Sequence, residues 1–274
     1  MFFLLFGIFT RIFSNSFLNV FQKMLTNSGE KSSVVNFYSY LGLTILSLCF
    51  CRNIIYESDF LIYIIIMGLL GALGNYFIIK ALSVGDLSEL APINSYKPVV
   101  ALVFGMLVLS EIPSIKDLFG IILIITGTFL LFNKKITHTK ALFYRFLALI
   151  FSASEAIIIK KIILISNIDS AFAFWAFSGL IFSFILVLKY PLKLSKISIK
   201  YQIALILSAG IMQYATNYVF SKMNVAYALA LFQLSTILSV FLGVNIFKEK
   251  NLVKKIAASF IMISGAILII LNQL

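Results

Sequence analysis

The 274-residue sequence predicts an all-α integral membrane protein with ten transmembrane helices, arranged as two inverted five-helix repeats around a central cavity. Three observations carry this reading. The chain is 61% hydrophobic with a mean hydropathy of +1.06, whereas soluble domains are about half apolar, so a soluble fold of this length has nowhere to put its apolar surface. Apolar runs of about 18–23 residues recur from end to end, each long enough to cross a hydrocarbon core about 30 Å thick as a helix. The chain also matches itself at one constant offset near half its length.

The spans fall at about residues 2–24, 34–51, 60–82, 89–109, 114–132, 141–163, 171–189, 201–222, 225–247 and 253–272. Short clusters with turn chemistry separate them: TNSGEKSS after the first, SVGDLS after the third, SEIPS after the fourth and NKKITHTK after the fifth. No loop is long enough to fold by itself. Lys+Arg number 22 against 10 acids, a formal charge of +12. Basic residues flanking spans account for this excess, so no nucleic-acid partner is expected. The loops after odd-numbered spans hold most of them, including Lys134, Lys135, Lys189, Lys193, Lys196, Lys200, Lys248, Lys250, Lys254 and Lys255. The alternate loops hold Arg52, Lys116, Lys160, Lys161 and Lys222. The positive-inside rule then places both termini outside the cytoplasm, in a cell (inner) membrane.

Cys49 and Cys51 are too close in sequence for an unstrained disulfide and read as small core residues. His138 has no companions for a metal site, so no metal or cofactor is expected. The opening MFFLLFGIFT lacks a basic n-region and a small-residue cleavage site and is not read as a removable signal peptide.

At a shift of 138, Phe13, Ser14, Ser16 and Lys23 fall on Phe151, Ser152, Ser154 and Lys161. Tyr76 falls on Tyr214 and Ser83 on Ser221. Gly105, Glu111, Lys116 and Gly127 fall on Gly243, Glu249, Lys254 and Gly265. Two units follow, 1–136 and 137–274. Five is odd, so the second copy must enter the membrane upside down. That is the inverted-repeat architecture of secondary transporters, in which a central site opens to each side in turn.

LVLSEIPSIKDLFGIILIITGTFLLF (107–132) and NIFKEKNLVKKIAASFIMISGAILII (245–270) resemble the hairpin that ends each half of the ten-helix, EamA-type branch of the drug/metabolite transporter superfamily. KALSVGDLSELAPINSYKPVVAL (80–102) resembles its third-to-fourth helix junction, with Pro92 and Pro98 matching the family's prolines. There are departures. Ser110 and Lys248 stand where a Gly often precedes the Glu, Ala258 replaces a Gly, and the first helix lacks a Trp often found there. The resemblance implies a transporter of small metabolites with a central cavity, without saying which metabolite. Glu111 and Glu249 lie at helix junctions, where they are expected to cap the next helix and pair with loop lysines.

Candidate site residues come from polar side chains at membrane depth. Arg11, Asn15, Asn19 and Gln22 recur every three or four residues and share one helix face, opposite Phe9, Phe13, Phe17 and Val20. Such a stripe turns toward protein or a wet cavity. Two placements are open for Arg11, snorkelling to the interface or lining the cavity; Lys23 is expected to snorkel. Lys97 lies too deep to snorkel and sits with Asn94 between Pro92 and Pro98, where the prolines break the helix. Glu155 is an acid within a span; it is open to neutralisation, to pairing with Arg11 or Lys97, to carrying a coupling proton, or to a purely structural ion pair. Asn75 and Tyr76 in the third span, Gln213, Tyr214 and Asn217 in the eighth, and Gln233 in the ninth complete the set. Trp175 reads as an interfacial anchor. Spans one, three, four, six, eight and nine are expected to line the cavity. Five and ten, almost wholly aliphatic, are left for the periphery and a homodimer interface.

Two cations and one carboxylate suit a small substrate with a negative group, such as an amino acid or organic anion. A lipid-linked flippase on the same scaffold is the alternative. An intramembrane enzyme lacks support, since no HExxH or GxSxG is present, and no P-loop supplies ATP drive. A C-terminal alkaline-phosphatase fusion, active only outside the cytoplasm, is expected to be active in intact cells; activity solely from a cytoplasmic reporter at the same position would reverse the orientation.

Overall fold

The structure, a computed structural model, describes residues 2–85, 90–130, 139–235, 237–238 and 252–272. These residues form ten α-helices: α1 (Phe2–Asn27), α2 (Ser32–Phe50), α3 (Leu61–Val84), α4 (Lys97–Leu109), α5 (Ile115–Leu130), α6 (Thr139–Ile165), α7 (Ile168–Val187), α8 (Lys196–Phe220), α9 (Val225–Phe232) and α10 (Leu252–Asn272). There is no strand among the described residues. Glu249 and Lys248, expected at the second junction, lie outside the described residues, as does His138.

Local chemistry sets the helix ends. Gly29 takes a positive φ of 82° in the tight turn between α1 and α2. The side chain of Asn167 accepts the Ser170 N–H at 2.8 Å to start α7, and the Ser195 hydroxyl accepts the Ser198 N–H at 3.2 Å to start α8. Each satisfies one amide that the first helical turn leaves open. Span four begins differently from expectation. A 3-10 helix occupies Ala91–Tyr96 and passes into α4 at Lys97, because Pro92 and Pro98 cannot donate the hydrogen bonds of a continuous α-helix. At the far end of α4, Ser110 adopts the left-handed conformation at φ 56°. This explains why the related pattern favours glycine there, the residue that meets that conformation without a Cβ clash.

The exterior is apolar. On α1, Phe2, Phe6, Phe9, Phe13 and Phe17 form an exposed stripe, a surface fit for acyl chains. Val20, expected beside them, is buried. Five helices, α1, α2, α3, α7 and α8, are individually long and apolar enough to cross a membrane. The remaining ones are shorter or carry the charges described below. Cys49 is exposed and Cys51 half-buried, both as free thiols, so neither is the core residue expected; each lies where α2 runs out into the following loop.

The principal helix pairs are α5 on α10, α3 on α6, α1 on α8, α2 on α7, α3 on α7, α4 on α6 and α4 on α9. Close approach of α5 and α10 depends on two glycines. A Cβ at Gly265 would stand 2.6 Å from the Gly120 carbonyl oxygen, and one at Gly120 would stand 2.8 Å from that of Gly265. One turn pair away, a Cβ at Gly127 would meet the Ala258 carbonyl oxygen at 2.8 Å. Small residues at such crossings let backbones touch, which is how helices associate in lipid. Gly265→Ala is expected to lower stability by about 1–3 kcal/mol, the usual cost of overpacking, read as a lower melting temperature in detergent. Gly210→Ala, whose nearest neighbour is the tip of Leu46 at 3.3 Å, is expected to change it little.

Candidate functional site

A cavity of about 130 Å³ lies within the bundle. Eight helices and the 3-10 turn contribute to its wall; α5 and α10 do not. The polar stripe of α1 faces it through Arg11, Asn15, Asn19 and Gln22. Opposite stand Asn75 of α3, Asn94 of the 3-10 turn, Lys97 at the start of α4, Arg145 and Glu155 of α6, and Gln213 of α8. The 3-10 turn is what brings Asn94 and Lys97 to this wall.

Amide groups hold the wall together. Gln22 donates from Nε2 to Asn75 Oδ1 at 3.1 Å, Asn75 donates to Asn36 Oδ1 at 2.6 Å, and Asn36 donates to the Ala72 carbonyl at 3.1 Å. This chain ties α1, α3 and α2. Asn15 donates to the Ser235 hydroxyl at 3.0 Å, linking α1 to the turn after α9. Gln202 reaches Ser39 at 3.0 Å.

The charges are less well served. Glu155 accepts a 2.5 Å hydrogen bond from the Trp175 indole, and that ring packs on Tyr40 with centroids 5.3 Å apart. Arg11 lies over the Phe232 ring at 4.7 Å, but its Nε and Nη1 are buried without a hydrogen-bond partner among the described residues. The same holds for Arg145 Nε. Among the described residues, neither arginine nor Lys97 makes an ion pair within 4.0 Å. Burying a charge without such a partner costs several kcal/mol per ion.

Two lysines tie helix ends together. Lys23 Nζ on α1 donates to the Leu82 and Gly85 carbonyls at the end of α3, at 2.8 and 2.9 Å. Its expected escape to the interface is thus met by backbone oxygens that α3 leaves open. Lys160 Nζ on α6 donates to the Phe220 and Met223 carbonyls at the end of α8 and lies 4.0 Å from Glu111 Oε1. Glu111 Oε2 accepts the Val225 N–H at 2.9 Å. It therefore caps α9 rather than the next helix, α5, which Ser114 and Asp117 cap between themselves. Its lysine partner is buried on α6, not in a loop. Burial pushes the Glu111 carboxyl above its usual range, opposed by the Val225 bond and by Lys160.

Of the residues singled out from sequence, Arg11, Asn15, Asn19, Asn75, Asn94, Lys97, Glu155 and Gln213 stand on the cavity wall. Four do not. Tyr76 turns to Lys80, whose ammonium sits over its ring at 5.3 Å. Tyr214, one residue round the helix from Gln213, points outward and donates to Asp169 at 2.8 Å. Asn217 lies behind the wall, accepting from Gln213 at 2.9 Å. Gln233 is buried and donates to the Leu229 carbonyl at 3.2 Å. Trp175 is not an interfacial anchor: it is 7% exposed and bound to Glu155. Sequence reasoning missed α2 and α7 as wall helices and passed over Arg145, which follows Lys140 closely enough to look like one more loop cation.

A lipid-facing bundle of ten helices around a polar, cation-rich cavity is the architecture of an integral membrane transporter. A family model described as the EamA-like transporter family matches residues 2–133. An uncharacterised protein of Methanocaldococcus jannaschii is 32% identical over 98 residues, covering 36% of this chain and 72% of that one. A crystal structure superposes with a TM-score of 0.74 at 12% identity, covering 98% of this chain and 96% of the other; this likeness concerns the fold alone. The chain belongs to the EamA-like transporter family.

The Glu111 tie makes a specific prediction. Glu111→Ala removes the acceptor at the start of α9 and is expected to cost about 0.5–2 kcal/mol and to speed amide exchange at Val225. Glu111→Gln keeps an acceptor and should fall between. Melting and exchange unchanged in both variants would mean the tie is idle.

Proposed function

We propose that the protein is a secondary carrier that moves a small polar metabolite with a negative group across the cell (inner) membrane by alternating access. The observation that supports this most is the cavity wall: three cations and one carboxylate gathered with six side-chain amides inside a lipid-facing bundle. Pockets for drug-sized ligands run to roughly 300–1,000 Å³, so a cavity of about 130 Å³ favours a small metabolite over a lipid-linked one.

The two-unit reading, 1–136 and 137–274, has support from paired contacts. Under the 138-residue offset, α1 on α8 exchanges with α6 on α3. The Gly120–Gly265 contact exchanges with Ala258–Gly127. Lys23 holds the carbonyls of Leu82 and Gly85, and Lys160 those of Phe220 and Met223; the four carbonyl positions correspond at that same offset, while Lys160 lies one residue before Lys161, the counterpart of Lys23. If the second unit is inverted, the two ties fall at opposite faces, as a carrier whose halves rock in turn requires. In this reading, releasing one tie while keeping the other opens the cavity to one side. Asn15, Asn19, Asn75, Asn94 and Gln213 would orient the substrate, and Arg11 and Lys97 would hold its negative group.

Lys97→Ala in proteoliposomes is expected to reduce uptake of anionic and zwitterionic solutes by tenfold or more, with the melting temperature retained. Intact uptake of every tested anionic or zwitterionic solute would remove Lys97 from the site and this reading with it.

A further inference from the structure

The cavity holds more positive charge than a single acidic group needs. Of the three cations on its wall, the two arginines are the ones whose side chains carry buried N–H groups without a partner among the described residues. They come from different places in the fold. Arg11 is on α1 beneath Phe232. Arg145 is on α6, 6% exposed, ten residues before Glu155 and hence about 15 Å from it along the helix axis. Each has a buried Nε with no partner among the described residues, and each lines the cavity.

A planar guanidinium fits a carboxylate with two parallel hydrogen bonds. Two of them, left unpaired on separate helices around one small space, form complementary halves of a receptor for two carboxylates. From this we infer that the substrate is a small dicarboxylate, one carboxylate for each arginine, and that Arg145 is the residue that distinguishes it from a monoanion. The inference rests on the carrier reading above and narrows its substrate.

Succinate, succinamate and succinamide have nearly the same shape and carry two, one and no negative charges. Binding of each to the purified full chain, measured by calorimetry, tests the inference directly. Wild type is expected to bind succinate at least tenfold more tightly than succinamate, and succinamide not at all. Arg145→Gln should weaken succinate at least tenfold and leave succinamate within about threefold; Arg145→Lys should recover part of the loss. Equal binding of succinate and succinamate by wild type overturns the inference without recourse to any variant. So does failure of every dicarboxylate from malonate to glutarate to bind, or parallel loss of all ligands in an Arg145→Gln protein that melts like wild type. Uptake of a singly charged solute that depends on Lys97 would, in those cases, leave the carrier reading standing while removing the dicarboxylate.

Discussion

Hydrocarbon does not solvate a guanidinium, and a bundle that carries Arg11, Lys97 and Arg145 below its surface must enclose the water or protein that does. The arrangement of α1 follows from this. Its amide and arginine face turns inward and its phenylalanine face turns to lipid. The same demand explains the broken start of span four. A continuous helix would place Asn94 and Lys97 on the regular helical spacing, whereas the proline-bounded 3-10 turn sets both on the cavity wall.

Cohesion has a different source from that of a soluble core, because lipid is as apolar as leucine and does little to drive helices together. Backbone contact at Gly120 and Gly265, the tilted packing of Tyr40 on Trp175 and the amide chain through Asn75 supply it. The two lysine ties add a polar latch where α3 and α8 end. These ends are natural attachment points, since the last carbonyls of a helix have no partners of their own. A lysine can meet them through backbone oxygens, and Lys160 has Glu111 4.0 Å away as well.

The bundle was legible because its signals are long and redundant: ten apolar runs, a constant offset, charges at the breaks. Helix ends came within a few residues, except that α4 starts at Lys97 rather than near 89 and α9 stops at Phe232, well short of 247. The wall was legible on α1, where four polar residues recur at helical spacing, and at Lys97, where depth and flanking prolines agree. It was not legible at Tyr40 and Trp175. An aromatic residue in an apolar run fits lipid, core and cavity equally well, and only the neighbour across the gap decides; for Trp175 that neighbour is Glu155, twenty residues away. Tyr214 and Tyr76 failed for the converse reason. They match at the repeat offset, but adjacent positions on a helix point about 100° apart, so Gln213 takes the wall and Tyr214 does not. Arg145 was hidden by position, since a cation near the start of a span looks like part of its loop.

The surplus of positive charge on the wall has an electrical consequence. If the protein is the dicarboxylate carrier proposed above and all four groups carry their ordinary charges, the chamber without substrate would hold two net positive charges, which a dianion would cancel. Reorientation of the filled form would then be insensitive to voltage, while the return without substrate would move charge through the field, worth about 2.3 kcal/mol per elementary charge per 100 mV. Membrane potential would thus act on the recovery stroke and leave the delivery stroke alone.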